Sequence, residues 1–456
     1  MSEFVWTDAA VRSALGLRMD IVRPELAFTG ISTDSRQIEE GYLYVALNGT
    51  RFDGHDFVAD AVSKGASGAV VSRQPTTQTE TKLYPVDDTL IALGSLASHR
   101  REQLKAQVIA ITGSSGKTTT KDLAAAALSS SKRVHSTEGN LNNRIGMPLT
   151  LLATPEDAEA VVLEVGSNEP GEISALAQVA KPDIAVVTTV GESHLEKLGS
   201  LEGVIQEKLG LFCGLAEGGL GIVGDEPPVL AEEAREVCDH IRVAGWSERA
   251  DEDLRPEAAD VDVFGRYEFQ WRGQKVAVPL MGRHAVVDTM LALAIADLLG
   301  VSPKDAALGL ASAEANPLRG EVQRIGMLTL IVDCYNANPQ SVCAALDVLE
   351  GQGPAARRVA VLGTMLELGD ASDRLHRKVL SDALDRSFDL IVATGAFQEA
   401  AKSVGATQGT ELIKAPDWKV AYPELRERLN GDEVILLKAS RGVALEGIIP
   451  LLTQDF

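Results

Sequence analysis

The segment from Gln107 to Ser129 carries residue types that could bind the phosphates of a nucleotide. An apolar run, Gln107 to Ile111, predicts a buried strand, and Lys121 to Ser129, rich in alanine and leucine, predicts a helix. The loop between them is punctuated by glycine and ends in Gly116-Lys117-Thr118. Such a loop turns backbone N–H groups toward phosphate oxygens, while the lysine reaches the outer phosphates and the threonine hydroxyl binds magnesium. The segment therefore predicts an ATP site.

The loop departs from the general form of this motif at one position. That form has a glycine five residues before Gly116, where this chain has Ile111, so the loop is the shorter Thr112-Gly113-x-x-Gly116-Lys117-Thr118. A serine- and glycine-rich turn at a helix start is the alternative interpretation. The strand before the loop and the helix after it favour the ATP site.

Two further polar residues follow apolar strand candidates. Glu164 lies at the end of Ala160 to Val165, and His194 follows Ile184 to Thr189. In open parallel sheets, ligands bind beyond the carboxyl ends of the strands. A carboxylate in an apolar strand needs a partner, which for Glu164 is either magnesium held together with Thr118 or a structural salt bridge. His194 is either a metal or phosphate ligand or a histidine with a structural role only.

Several polar loops supply more candidates. Gly139 to Pro148 contains three asparagines and an arginine, which could bind phosphate or carboxylate, and a plain turn cluster is the competing interpretation. Asp333 to Pro339, Leu362 to Gly369 and Lys438 to Gly442 each follow a strand candidate. Their polar groups would therefore meet at one edge of a sheet and form a rim that faces a ligand.

Lys208 receives no chemical role from its neighbours in the sequence. Ser200 offers an N-cap hydroxyl and Glu202 an acid in the first turn of a predicted helix. On that helix, Lys208 is predicted to be an ordinary exposed lysine.

Nearly continuous apolar runs alternate with helical stretches over most of the chain. Val108 to Ile111, Ala160 to Val165 and Ile184 to Thr189 have the unbroken apolar character of strands buried on both faces. A second series begins near residue 316, after the helix candidate Lys304 to Ala315 and the break at Asn316-Pro317. Its strand candidates are Leu328 to Val332, Val359 to Leu362, Leu390 to Ala393 and Val434 to Leu437. This alternation predicts doubly wound parallel sheets.

The remaining segments predict smaller units. Strand-like pieces, Tyr42 to Leu47 and Gly68 to Val71, flank the helical stretch Phe57 to Lys64 and indicate a small α/β domain. Residues 221–282 are predicted to form a small antiparallel insertion. Three domains result, at 1–103, 104–315 and 316–456.

The composition excludes several classes of function. Lysine and arginine total 43 against 65 acidic residues, a formal net charge of −22, so nucleic acid is not a predicted partner. The four cysteines show no C-x-x-C spacing and are predicted to be reduced thiols. No apolar stretch is as long as a membrane span, and the first residues lack a secretory signal. The sequence predicts a cytoplasmic protein without integral membrane association.

Together, these motifs resemble those of the Mur ligase family of peptidoglycan synthesis, and the resemblance covers essentially the whole chain. Thr112 to Thr118 resembles the family's ATP loop, while Thr33 to Arg36 and Asp53 to Phe57 resemble parts of its UDP-sugar-binding domain. The most specific segments are Tyr335 to Pro339 and Leu366 to Gly369, which resemble the member that adds a dipeptide to the tripeptide precursor. The Tyr-Ala-His loop and Asp-Asn-Pro-Arg motif of the tripeptide-forming member are absent from the sequence.

The resemblance implies an α/β fold of three domains. These are a small UDP-sugar-nucleotide-binding domain (1–103), a central P-loop ATPase domain with a doubly wound parallel sheet (104–315) and a Rossmann-like ligase domain (316–456).

It also implies a reaction that uses ATP and Mg²⁺. ATP would phosphorylate the terminal carboxylate of UDP-N-acetylmuramoyl-tripeptide, and the amine of D-Ala-D-Ala would attack the acyl phosphate. Lys117 and a magnesium ion on Thr118 and Glu164 would stabilise the transferring phosphoryl group. A second magnesium ion would be held by His194 and by Lys208 in carbamylated form. The protein is expected to act as a cytoplasmic monomer.

The resemblance implies the residues of each subsite as well. The catalytic set is Lys117, Glu164, His194, Lys208 and Asn336. The nucleotide-binding set is Thr112, Gly113, Ser114, Ser115, Gly116, Lys117, Thr118, Thr119, His284, Asp288 and Asp333. The substrate-binding set is Ser35, Arg36, Asp53, His55, Asn140, Asn142, Asn143, Asn336 and Asn338. Ala285 and Asp288 stand where asparagines are common in the family, in a segment near the adenine.

Two other classes of function stay open at this point. One is a different amide ligase of the same superfamily, the tripeptide-forming Mur ligase or folylpolyglutamate synthetase. The other is a regulator in which ATP drives a conformational change without catalysis. The loop motifs after residue 334 argue against the first, and a second metal site together with a UDP-binding domain argues against the second.

Overall fold

Parallel sheets flanked by helices organise the chain. The computed structural model describes residues 4–76, 80–353, 357–404 and 409–456. Its sheets comprise a parallel sheet near each end of the chain and one in the middle, with two small antiparallel sheets beside them. The predicted α/β fold class is therefore confirmed. Among the described residues, no helix is both long and apolar enough to cross a bilayer.

The first sheet has four parallel strands in the order β3-β4-β5-β6, and β1 pairs with β2 separately. Its elements are β1 (Trp6–Thr7), α1 (Asp8–Ala14), β2 (Ala27–Phe28), β3 (Ile31–Ser32), β4 (Leu43–Val45), α2 (Val58–Ser63), β5 (Gly68–Val71), β6 (Lys82–Pro85) and α3 (Thr89–Gln103). Short 3₁₀ turns lie at Ser35–Gln37 and Gly54–Phe57. Helix α3 connects this unit to the next sheet.

The central sheet has six parallel strands in the order β12-β11-β10-β7-β9-β8. Its elements are β7 (Gln107–Thr112), α4 (Lys117–Ser129), β8 (Val134–Ser136), α5 (Gly146–Leu152), β9 (Ala160–Glu164), α6 (Glu172–Ala180), β10 (Ile184–Val187), α7 (Leu195–Leu198), α8 (Leu201–Leu209), β11 (Leu220–Gly224), α9 (Leu230–Val237) and β12 (Ile241–Ala244). A 3₁₀ turn at Gly210–Gly214 follows α8. Strand β7 lies between β9 and β10, where the strand order reverses, and this is the expected place for a ligand.

A three-stranded antiparallel sheet and two helices complete the middle of the chain. They are β13 (Glu257–Val261), β14 (Arg266–Trp271), β15 (Gln274–Met281), α10 (Arg283–Leu298) and α11 (Pro303–Leu310), with a 3₁₀ turn at Glu252–Leu254. Helices α4, α10 and α11 pack together on one face of the central sheet. Helix α10 is buried over nearly its whole length, so its few polar side chains are held in fixed positions.

The C-terminal sheet has the order β16-β17-β21-β18-β19-β20, and only β16 is antiparallel to its neighbour. Its elements are β16 (Glu321–Ile325), β17 (Leu328–Asp333), α12 (Pro339–Glu350), β18 (Arg358–Leu362), α13 (Ser372–Leu384), β19 (Leu390–Thr394), α14 (Ala396–Ala400), β20 (Glu411–Ala415), α15 (Trp418–Arg428), β21 (Val434–Lys438) and α16 (Ile449–Asp455). Further 3₁₀ turns lie at Gly369–Ala371, Arg441–Val443 and Leu445–Ile448. The register places Lys438 between Asp333 and Leu362.

Three predicted elements differ from the structure. The helix after the phosphate loop begins at Lys117 rather than Lys121, because Gly116 adopts a left-handed conformation that ends the loop there. The helix predicted over 304–315 ends at Leu310. The insertion predicted over 221–282 is antiparallel only from Glu257, because β11 and β12 extend the parallel sheet. The domain boundaries at 103 and 315 stay predictions.

Candidate active site

A cavity of 680 Å³ lies between the central and C-terminal sheets, at the carboxyl ends of their strands. Its lining includes the phosphate loop from Ser114 onward and the asparagine-rich loop after β8, residues 139–143. Residues that follow β9 and β10 also line it. The opposite wall comes from α10 and from the loop between β17 and α12. Polar loops that are far apart in sequence therefore share one space, as the strand-end argument predicts.

The phosphate loop, residues 112–118, is fixed by close contacts with the two threonines that follow β10. A side chain at Gly113 would place its Cβ 2.0 Å from Thr188 Oγ1, so only glycine fits there. The Thr188 hydroxyl donates to the Ser115 carbonyl at 2.5 Å, and Ser114 N–H donates to the Thr189 carbonyl at 2.8 Å. Within the described residues, no side chain caps the start of α4, so the first N–H groups of this helix are available to an anion.

Lys117 lies over this loop. Its ammonium donates to the Gly113 carbonyl at 2.7 Å, and burial in the cavity lowers its pKa. A desolvated cation beside free backbone N–H groups suits the outer phosphates of a nucleotide. Thr118 and Thr119 also line the cavity, whereas Thr112 and Gly113 are not among its lining residues.

Glu164 supplies an acceptor that the protein leaves unused. Its side chain is buried at the end of β9, and Oε1 accepts a hydrogen bond from Asn142 Nδ2 at 2.6 Å. Oε2 is buried and has no hydrogen-bond partner among the described residues. A structural salt bridge, the alternative interpretation, is therefore absent at that oxygen, and a bound cation would satisfy it.

The three predicted asparagines after β8 differ in their engagement. Asn142 holds Glu164, as described above, and Asn140 lines the cavity. Asn143 also reaches the cavity, but its Oδ1 accepts from the backbone N–H groups of Ile145 and Gly146 at 3.0 and 2.9 Å. Part of this loop thus serves as the turn cluster that the sequence left as an alternative.

Lys208 is not the exposed lysine that its position in the sequence suggested. It is 1% exposed, and its Nζ donates to Ser167 Oγ at 3.0 Å on the cavity wall. Burial and, to a smaller degree, the charge of Lys117 together lower its pKa to about 7. The prediction failed because the loop after β9 folds over α8, a tertiary contact that helix periodicity does not encode. Near pH 7, a substantial fraction of the Lys208 amine is therefore neutral.

His194 lies at the contact between the two sheets' domains. It follows β10 in a left-handed conformation (φ 52°), and its Nδ1 lies 2.5 Å from Glu367 Oε2. Glu367 belongs to the loop after β18 and is itself left-handed (φ 64°), and the hydrogen bond from His194 lowers its pKa. Arg374 on α13 pairs with Glu192 at 2.9 Å beside them. The interface therefore orients the His194 ring.

The loop after β17 contributes Asp333, Asn336 and Asn338. Lys438, at the end of β21, donates to Asp333 Oδ2 at 2.7 Å and to the Asn336 carbonyl at 2.8 Å. Asn338 caps α12 through Ser341 N–H, and its Nδ2 donates to Ser115 Oγ at 3.1 Å. Asn336 Nδ2 has no hydrogen-bond partner in the part of the chain that the structure describes, whereas Asn338 is bound to the phosphate loop.

The predicted adenine segment places His284 and Asp288 on the cavity wall. Burial lowers the pKa of His284. Asp288 lies directly below the phosphate loop, where Thr120 Oγ1 donates to its Oδ1 at 3.1 Å. Burial raises the pKa of Asp288 to about 8. Asp288 therefore lies against the phosphate loop and the first turn of α4.

The residues predicted to bind the UDP portion lie outside the cavity. Arg36 pairs with Asp34 at 2.6 Å, and His55 Nδ1 lies 2.6 Å from Asp53 Oδ1. His55 Nε2 accepts from Ser72 N–H at 2.9 Å, and Ser35 is buried beside this group. These side chains cluster at the first sheet, in a different domain from the other predicted site residues.

Sequence reasoning assigned no individual role to several residues at or beside the cavity. Lys438 and Glu367 belong to predicted rim loops, but their contacts with Asp333 and His194 depend on tertiary structure. Ser167 carries no signal in the sequence, because its role arises from its contact with Lys208. Arg319, whose guanidinium lies 3.9 Å above the Tyr335 ring, is likewise placed by tertiary structure alone.

The donor set fits magnesium at one position. The unpaired Glu164 oxygen and the Thr118 hydroxyl are hard oxygen ligands of the kind this ion prefers. The second predicted position has only the imidazole of His194 and the amine of Lys208, and it gains oxygen ligands only if Lys208 is carbamylated. In keeping with this, no group of three or more His, Cys, Asp or Glu side chains in the described ranges is arranged to hold a metal.

Comparisons with known proteins agree over the whole chain. Models of the Mur ligase family match in three consecutive parts, the family's catalytic domain over residues 27–101, its middle domain over 111–296 and its glutamate ligase domain over 319–441. The UDP-N-acetylmuramoyl-tripeptide--D-alanyl-D-alanine ligase of Bacillus subtilis is 37% identical over 440 residues, which cover 93% of each chain.

Solved structures give the same result. The structure of MurF from Acinetobacter baumannii matches with a TM-score of 0.89 at 32% identity and covers 100% of both chains. The structure of MurF ligase from Thermotoga maritima in complex with ADP matches with a TM-score of 0.82 at 27% identity, over 93% of this chain and 97% of the other. With identity, coverage and site architecture in agreement, the chain belongs to the Mur ligase family.

Proposed function

We propose that the protein is an ATP-dependent ligase that joins D-Ala-D-Ala to UDP-N-acetylmuramoyl-tripeptide. The observation that carries this proposal is the single cavity in which the phosphate loop, the unpaired Glu164 oxygen and the Asn336 loop meet. The 37% identity with the Bacillus subtilis ligase over nearly the full length supports the choice of substrates. The product is the UDP-linked pentapeptide precursor of peptidoglycan, made in the cytoplasm.

The reaction proceeds in two steps. First, the tripeptide's terminal carboxylate attacks the γ-phosphorus of ATP, the bond to the bridging oxygen breaks, and ADP and an acyl phosphate form. Then the dipeptide amine attacks the acyl carbon, the C–N bond forms, and phosphate leaves as the amine gives up a proton. Both steps depend on positioning and on neutralising the charge of the phosphoryl group.

Residues of the central domain neutralise that charge. Lys117 and the free N–H groups at the start of α4 contact the transferring phosphoryl group, while the short contacts of Gly113 and Ser115 with β10 keep the loop rigid. Thr118 and Glu164 would hold one magnesium ion, and His194 with carbamylated Lys208 would hold a second. When bound, these ions would supply further positive charge to the phosphates.

Lys208 is suited to carbamylation by its surroundings. A neutral amine reacts with CO₂, and burial keeps a large fraction of this amine neutral near pH 7. The nitrogen of the neutral amine forms a bond to the carbon of CO₂, the electron pair of one C=O bond moves to oxygen, and the nitrogen releases one proton. The neutral amine thereby becomes an anionic carbamate. This change gives the metal position the oxygen ligands that it otherwise lacks.

The substrate residues lie on both sides of the cavity. Asn336 and Asn140 face the acceptor and the dipeptide, with Asn142 and Asn338 holding Glu164 and the phosphate loop in place. Asn143 shapes the loop that carries them. Ser35, Arg36, Asp53 and His55 hold the UDP portion on the first domain, and Asp333 meets the ATP ribose.

Phosphate release tests the proposal directly. We expect ATP hydrolysis only when UDP-N-acetylmuramoyl-tripeptide and D-Ala-D-Ala are both present, with one amide formed per phosphate. Release that is indifferent to the dipeptide would overturn the proposal and favour a regulator driven by ATP. Release with an amino acid in place of the dipeptide would favour another ligase of the superfamily. Running the assay with tripeptides ending in lysine and in diaminopimelate identifies the acceptor.

A further inference from the structure

The carboxyl group of Asp288 supports the phosphate loop from below. Asp288 projects from the buried helix α10 and is 4% exposed. A Cβ atom added to Gly116 would lie 2.3 Å from Asp288 Oδ1 and 3.2 Å from Oδ2, so the carboxyl group occupies the space that a side chain there would need. Thr120, one turn further along α4, donates its hydroxyl to the same Oδ1 at 3.1 Å. The loop and the first turn of α4 thus rest on this carboxyl group.

The surroundings favour the protonated form of this group. Burial raises the pKa of Asp288 to about 8, and the hydrogen bond from Thr120 opposes that rise only in part. No cation of the described structure offsets the burial by pairing with Asp288. The Lys117 ammonium is turned to the Gly113 carbonyl, and that of Lys121 to the Thr137 carbonyl. Other titratable or charged groups that line the same cavity include Asp225, Glu226, Arg283 and His284.

We infer that Asp288 is a positioning residue that must keep its proton for the loop at 112–118 to hold the phosphates of a nucleotide. The inference rests on the proposed use of ATP. A neutral carboxylic acid supports Gly116 without charge and offers one O–H donor, much as a side-chain amide would. A carboxylate at the same place would set a negative charge in a desolvated position directly below bound phosphates.

Nucleotide binding and the protonation of Asp288 are therefore linked. Bound phosphates disfavour the carboxylate further, so nucleotide binding raises the pKa of Asp288. Above pH 8, where the free protein has largely lost this proton, binding must take it up again. Affinity then falls as the pH rises, by at most about tenfold per pH unit.

The test compares the full-length protein with Asp288→Asn, which keeps the shape and cannot ionise. Isothermal titration with ADP in buffers of different ionisation enthalpy measures both affinity and proton uptake from pH 7.5 to 9.5, a range in which the phosphates of ADP are already ionised. For the parent protein we expect a loss of roughly tenfold in affinity over this range and uptake of up to one proton per ADP near pH 8.5. Asp288→Asn should bind ADP with little proton uptake. Any change of its ADP affinity with pH that remains would then reflect the deprotonation of Lys117.

Thr120→Val tests the inference independently, through the direction in which the pH dependence of ADP affinity shifts. Its hydroxyl stabilises the carboxylate, so its removal should move the fall in affinity to higher pH. Equal proton uptake by the parent protein and Asp288→Asn would overturn the inference, as would a Thr120→Val profile that moves to lower pH. Absence of ADP binding at every pH would instead contradict the proposed use of ATP. Melting temperatures of the variants show that each is folded.

Discussion

The candidate residues of the central domain and those of the N-terminal domain differ in how many of their polar groups already have partners within the protein. In the central domain, Glu164 leaves a buried oxygen unpaired and Lys208 has one hydroxyl partner for a buried amine. In the N-terminal domain, Arg36, Asp53 and His55 are already paired with neighbouring side chains or backbone groups. Because unpaired buried polar groups cost free energy, the central site is organised around ligands that complete it, whereas the N-terminal surface is complete before a ligand arrives.

The largest expected effect comes from removing the cation of the phosphate loop. Lys117→Ala should lower ATP turnover by roughly 10³-fold, because the transferring phosphoryl group loses its nearest side-chain charge. Steady-state phosphate release measures this. Lys304→Ala, at an exposed position on α11, is the matched control and should retain full activity. Turnover of Lys117→Ala within tenfold of the parent would remove the loop from catalysis.

Lys208→Met should separate activity from stability. Turnover should fall by roughly 10²-fold, because the second metal position loses its oxygen ligands. Lys208→Ala, which leaves space at the site, should show the same loss with partial rescue by small carboxylates. In buffer depleted of CO₂, the free energy of unfolding at pH 7 should rise by about 1–2 kcal/mol, since a buried amine is replaced by an apolar group of similar length.

The pH dependence of stability checks the same residue. The folded pKa of Lys208, about 7, lies below its ordinary value of 10.5. Between these values the unfolded chain binds more protons, so the stability of the parent protein should rise with pH across this window and fall toward pH 7. Lys208→Met should lack this contribution. Parallel stability curves for the two proteins, from chemical denaturation between pH 7 and 10, would show that Lys208 is not desolvated.

His194 is the exception within the central site, because Glu367 already holds its ring. Glu367→Gln keeps the size of the side chain and removes the charge, so we expect a loss of about tenfold in turnover and weaker activation by magnesium. Titration of turnover against magnesium concentration measures both. Glu399→Gln, on the exposed side of α14, serves as the control. An unchanged magnesium requirement would mean that the contact between the domains does not orient His194.

The smallest effect is expected in the N-terminal domain. Arg36→Ala removes an exposed pair with Asp34, so the free energy of unfolding should change by less than about 1 kcal/mol. The KM for the UDP-linked substrate should rise by about threefold to tenfold at constant kcat, as expected for a residue that binds substrate and transition state equally. Arg51→Ala, in the same domain, is the control. A large fall in kcat would show that the N-terminal domain contributes to catalysis as well as to substrate binding.

Strand ends and loop motifs could be predicted from the sequence because they depend on local patterns. The phosphate loop and Glu164 follow unbroken apolar runs, and both lie in the cavity. Lys208 could not be predicted to be buried, because the contact with Ser167 joins two elements 41 residues apart. The support that Asp288 gives to the loop depends on how α10 packs against α4. Helix periodicity predicts which residues are buried, but not which element they pack against.

His194 and Glu367 share one further property, the left-handed backbone of each. Such a conformation in a residue other than glycine costs of order 1–3 kcal/mol and persists only where the surroundings enforce it. Here the two residues enforce each other across the contact between two domains. Each domain therefore stabilises the left-handed residue of the other domain through this contact. A central domain produced alone would keep its sheet and its phosphate loop. It would lose the Glu367 carboxylate that orients the His194 ring.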